Sequence, residues 1–200
     1  MACTACSFGS VSESPLAAWL NLLRDRGHKR IAIGGHSGGA VRTVYSQARE
    51  RFPGVVGVIP VSPGEYNHEG LIQLHTRDFT IPFTQAQKAI AEGNPDNFLL
   101  PGVPWGSMWT ARTFVDCFNP DNRYSVTTHA ANTGVPTQFI FGSEECAGPQ
   151  ELPVCGAARR RLESANYPHV HVTVIDGADH GYVNRETHLM EAILAFLESL

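Results

Sequence analysis

The stretch RIAIGGHSGGAVRTVYSQARER, residues 30–51, decides how the rest of the chain is read. Arg30-Ile31-Ala32-Ile33 is a short apolar run ended by glycines, which suits a strand buried in a parallel sheet. From Gly39 through Arg51 the apolar residues return at helical spacing, and Pro53-Gly54 stops the pattern. Between the two stands Gly34-Gly35-His36-Ser37-Gly38-Gly39, which contains G-x-S-x-G. In a glycine-rich chain the pentapeptide alone means little; the strand before it and the helix after it give it weight. In that setting the serine sits on a sharp turn, and glycines flank it because larger side chains would collide as the chain reverses. The turn exposes the Ser37 hydroxyl and aims the Gly38 N–H, with the helix N-terminus behind it, at an oxygen that is becoming negative. His36 is directed elsewhere and reads as a packing or shaping residue. The plainer alternative is a glycine-rich connection in which Ser37 caps a helix.

On either side of this stretch, strand and helix patterns alternate. A helix is expected over 15–26, where Leu16, Trp19, Leu20 and Leu23 recur at helical spacing. Strands are expected over 55–61, 136–141 and 170–175, and helices over 84–92, 157–165 and 187–200, the last with Leu189, Ile193, Phe196 and Leu197 on one face. Such alternation implies right-handed βαβ units and an α/β fold with a mainly parallel sheet, whose functional loops lie beyond the carboxyl ends of the strands. Residues 66–134 differ in texture, being rich in Pro, Gly, Asn and aromatic residues, and they read as an insertion within one domain.

Composition narrows the function classes. The chain has 200 residues, 42% of them hydrophobic, enough for one domain with a sizeable core. Its net charge of −4 repels a polyphosphate backbone, so nucleic acid is not an expected partner. The start, MACTACSFGSVSESP, has no basic residue and no apolar core of a leader, and no apolar run is long enough to span a membrane; a cytoplasmic location is the expectation. Five cysteines, an odd number, fit a reduced compartment, although Cys146 and Cys155 bracket a short loop and could pair where conditions oxidise. Cys3 and Cys6 have CxxC spacing without a second pair, and His169 and His171 would share one strand face without a third ligand; no metal site is expected from either.

From about Ser14 onward the chain resembles the α/β-hydrolase superfamily, on the serine turn, on VPTQFIFGSEE and on DGADHGY. The resemblance implies a three-layer sandwich and a Ser, acid, His order of catalytic groups, with the acid after a late strand and the histidine after the last. It aligns Glu145 with the acid, with Glu144 as first substitute and Glu65 as a weaker one, and His180 with the base. His180 would take the Ser37 proton, Glu145 would fix the imidazole tautomer, and the Gly38 N–H would hold the oxyanion. Surface charge is the bland reading of Glu145.

The implied activity is cleavage of a small carboxylic ester through an acyl-serine, with no cofactor. Acyl transfer or thioester cleavage by the same groups, or a non-catalytic binding protein on the same fold, are the alternatives. Members of the family place strands and an oxyanion-donating loop ahead of the serine strand, and only about thirty residues stand there in this sequence. The sheet is therefore expected to be reduced at its N-terminal side. The 31–33 strand then becomes an edge, to be covered by the N-terminal segment, with SFGS as the stub of a lost strand, or paired in a homodimer. Trp105, Trp109, Phe83 and Phe114 in the cap-like insertion would line a substrate pocket or form a small core of their own.

Overall fold

The computed structural model describes residues 15–99, 108–147 and 151–200. The strands are β1 (Ile31–His36), β2 (Val55–Val61), β3 (Thr137–Gly142) and β4 (Val170–Ile175). The helices are α1 (Pro15–Asp25), α2 (Gly38–Glu50), α3 (His68–Ala91), α4 (Ala111–Cys117), α5 (Val126–Ala130), α6 (Ser143–Ala147), α7 (Pro153–Ala165) and α8 (Glu186–Ser199). They divide into two compact units, one holding the sheet and the other spanning Tyr66–Ser125.

In the first unit the strands pair in the order β1-β2-β3-β4, all parallel. With strands added in sequence order, right-handed crossovers put their helices on one face, where α2, α5 and α7 pack on one another. The alternate side chains, Ile59, Val61 and Ile140, meet α8 through Phe196, with Leu189 and Ile193 beside it. Gly57 permits this approach, since a Cβ there would come within 2.5 Å of Leu200 Cδ1. The chain thus has the reduced α/β sandwich anticipated from its sequence. Among the described residues nothing pairs with the outer edge of β1, and α1 is the one element ahead of it.

Two details depart from expectation. The glycines do not end β1, which continues through Gly34 and Gly35 to His36; at Gly34 a Cβ would stand 3.0 Å from the Ile59 carbonyl oxygen, so the small residues let the strands close. Pro60 lies inside β2, between two neighbours, where proline is uncommon. Val58 and Ser62 donate N–H bonds to Pro136 and Ile140 of the β3 side at 3.0 and 2.8 Å, and Pro60, midway, has none to give.

The Tyr66–Ser125 unit is more helical than its composition suggests. The expected 84–92 helix is the end of α3, which begins at His68 and is broken at Thr76, where φ is 34°. Phe79, Phe83, Trp109, Phe114 and Phe118 are buried and pack ring against ring as a core of this unit. Trp105 lies outside the described residues, as do SFGS, Cys3 and Cys6. Cys146 and Cys155 are free buried thiols, and Cys117 is disulfide-bonded. No helix among the described residues is long and apolar enough to cross a membrane.

Candidate active site

Ser37 stands at the N-cap of α2 with φ 57° and ψ −125°, a conformation that costs a side-chain-bearing residue about 1–3 kcal/mol. Its N–H donates to the Val61 carbonyl at 2.9 Å, and its own carbonyl accepts from Ala40 and Val41, so the turn is held at both ends. The side chain makes no capping bond, which removes the reading of Ser37 as a helix cap. Collision explains one flanking glycine but not the other. A Cβ at Gly35 would lie 2.4 Å from the Gly39 carbonyl oxygen, while one at Gly39 would meet open space. Gly35→Ala is accordingly expected to destabilise the protein by about 3 kcal/mol or more, seen as a fall in the urea midpoint, while Gly39→Ala leaves the midpoint unchanged or raised. Equal shifts for the two would contradict the steric account.

His180 lies in the loop after β4, and four contacts fix that loop. His36 donates from Nε2 to the His180 carbonyl at 2.7 Å, which gives His36 the shaping role expected of it. Asp179 Oδ1 accepts from the N–H groups of Gly181 and Val183, both at 3.0 Å. The Ala178 carbonyl accepts from Glu144 N at 3.0 Å. At Gly142 a Cβ would fall 2.3 Å from that same carbonyl oxygen, so β3 and the loop touch only because a glycine is there.

Held in this way, the His180 ring places Nε2 3.0 Å from Ser37 Oγ and Nδ1 2.7 Å from Glu145 Oε2. Glu145, on α6, is fully buried, and its other oxygen accepts from Gly142 N at 2.8 Å and Ser62 Oγ at 2.6 Å. A buried carboxylate is tolerable only with its lone pairs occupied, and here three donors occupy them. Because the carboxylate accepts, Nδ1 carries the imidazole proton and the lone pair of Nε2 faces the serine hydroxyl. Glu144 is half-buried and takes no side-chain part, and Glu65 is turned away to Thr127, accepting from its N–H at 3.2 Å and from its hydroxyl.

Sequence reasoning missed Ser62, Tyr182 and Cys155. Ser62 gives its proton to Glu145, and the Tyr182 hydroxyl shares its one proton between Ser62 Oγ at 2.8 Å and the Ile140 carbonyl at 3.3 Å. Burial pushes the Tyr182 phenol up, which keeps that donor protonated. The signal for Ser62 was its position directly after β2, at the edge where Ser37 and His180 also emerge. Cys155 Sγ lies 4.0 Å from His180 Nδ1 and 3.8 Å from the Ser62 carbonyl oxygen. Burial, with Glu145 adding to it, pushes the Cys155 thiol up, and the same two causes push the neighbouring Cys146 thiol up to about 11. His169 donates from Nε2 to the Ala130 carbonyl at 3.0 Å.

A parallel sheet with a strained serine turn after one strand and a histidine loop after the last defines the class: the chain has the α/β-hydrolase fold. It is similar to the α/β hydrolase GrgF from Penicillium sp. sh18, with a TM-score of 0.64, 12% identity, and coverage of 92% of this chain and 69% of that one. It is also similar to the monoacylglycerol lipase of Paleococcus ferrophilus, at a TM-score of 0.57 and 15% identity over 86% of this chain and 67% of that one. A structure from work on carboxylesterases of the thaumarchaeon Nitrososphaera gargenis gives a TM-score of 0.51 and 17% identity over 92% and 70%. No protein-family model matches the sequence, and no curated protein matches it.

Proposed function

We propose that the chain is a serine hydrolase that cleaves carboxylic esters through an acyl-serine. The observation that supports this reading is the continuous hydrogen-bonded series from Ser37 Oγ through the His180 ring to Glu145. The Ser37 oxygen attacks the ester carbonyl while its proton passes to His180 Nε2, and the Gly38 N–H at the start of α2 stabilises the oxyanion. The imidazolium, stabilised by Glu145, then protonates the leaving alcohol; water enters, gives its proton to Nε2, and releases the acid and the serine. No cofactor takes part. The substrate is a small ester, and the Tyr66–Ser125 unit is assigned the role of a cap.

Labelling with a fluorophosphonate tests the reading directly. The expected product is a single phosphonylated residue, located at Ser37 by peptide mass spectrometry, with labelling absent from Ser37→Ala. Labelling that persists in that variant would remove Ser37 from the role of nucleophile, and its absence from the wild type would instead favour a non-catalytic binding protein. Added alcohols or amines that capture the acyl group in preference to water would shift the assignment to an acyltransferase.

A further inference from the structure

We propose that Glu145, Cys155 and His180 form a binding site for a soft divalent cation such as Zn²⁺, and that the bound ion switches off the hydrolase proposed above, on which the inhibitory part rests. One ligand atom from each residue lies within 4.8 Å of the others. Ligands of one tetrahedral zinc ion, at about 2.0–2.3 Å from the metal, stand about 3.3–3.8 Å apart. The Nδ1 to Oε2 separation of 2.7 Å would widen and the Nδ1 to Sγ separation of 4.0 Å would close, each by less than the size of an atom. Thiolate, imidazole and carboxylate together are a donor set suited to zinc and its heavier congener cadmium. Among the described residues this is the one such grouping of His, Cys, Asp and Glu.

The site lies on the proton that the Glu145 contact holds in place. Binding removes the thiol proton of Cys155 to solvent and displaces the Nδ1 proton of His180, which is taken up at Nε2. The ion, thiolate and carboxylate then sum to zero charge. His180 remains neutral, but its lone pair has passed from Nε2 to the metal at Nδ1, so nothing faces Ser37 to accept a proton. Glu145 keeps the bonds from Gly142 and Ser62 on Oε1 and turns only Oε2 to the ion. Inhibition needs no displacement of Ser37.

The test uses the full chain, stripped of metal by a chelator. Cadmium titration should raise thiolate-to-metal charge-transfer absorption with a stoichiometry of one, and Cys155→Ser should weaken that binding by about tenfold or more. Zinc should slow hydrolysis of a p-nitrophenyl ester in step with occupancy, and chelator should restore it. In Cys155→Ser, each rate taken against its own metal-free value, the same inhibition should need about tenfold more zinc or more. Identical titrations for wild type and Cys155→Ser, or no band from the wild type, would overturn the site. Should Cys155→Ser fail to fold, His180→Gln keeps the thiol and removes the imidazole, and unchanged cadmium affinity there would overturn the site as well. A metal-free chain inert towards both ester and fluorophosphonate would remove the hydrolase and with it the inhibition, and the cadmium titration would still decide whether the ion binds.

Discussion

Ser37→Ala, His180→Ala and the double variant are expected to lose hydrolysis of a short p-nitrophenyl ester to nearly the same extent, on the order of 10⁴- to 10⁶-fold in kcat. Nucleophile and base act as one unit in the proposed mechanism. Without the imidazole the serine proton has nowhere to go, and without the hydroxyl the imidazole has nothing to activate. Removing the second group after the first therefore costs little more. The two side chains lie 3.0 Å apart and the hydroxyl uses no capping bond, so neither substitution removes a contact on which the turn depends. KM should change little, since the acyl and alcohol groups bind elsewhere. Losses that multiply in the double variant would show two independent contributions and sink the shared-proton account.

Glu145→Gln is expected to lower kcat by about 10⁴-fold while leaving the fold intact. The amide has the shape of the carboxylate, and its orientation is not free. At the Oε1 position the Gly142 backbone N–H donates at 2.8 Å, and a backbone N–H cannot turn into an acceptor, so the amide oxygen must sit there. The amide nitrogen then faces His180 Nδ1 and donates to it. That forces the imidazole proton onto Nε2, where it blocks transfer from Ser37. A variant with full kcat would mean that the carboxylate neither selects the tautomer nor stabilises the imidazolium. Unchanged urea and thermal midpoints alongside the lost rate would separate this effect from misfolding.

Much of the fold was legible because its signals are local. Val55–Val61 and Val170–Ile175 are apolar, β-branched runs, and the serine turn announces itself by what precedes and follows it. The short helices α4, α5 and α6 were not legible, since five to seven residues are too few for a helical period to show. The first half of α3 was missed because its pattern breaks at Thr76, where the backbone leaves the helical region. At the site, position along the chain singled out Ser37, Glu145 and His180. The side chains behind Glu145 could not be found the same way: Ser62 reaches it over 83 residues of sequence and Tyr182 reaches Ser62 over 120, through contacts that exist only once β2, β3 and the last loop are assembled. The turn of α6 buries Glu145 and leaves Glu144 half-buried, a difference between two adjacent glutamates that only the folded chain displays.

Pro60 makes the junction of the second and third strands the weakest zipper in the sheet, because the one donor that would close its middle is missing. Ser37 hangs from one side of that junction, and the carboxylate and imidazole hang from the other. Warming that loosens the sheet there first would part the nucleophile from its base while both halves kept their helices, so that loss of turnover on heating runs ahead of loss of ellipticity.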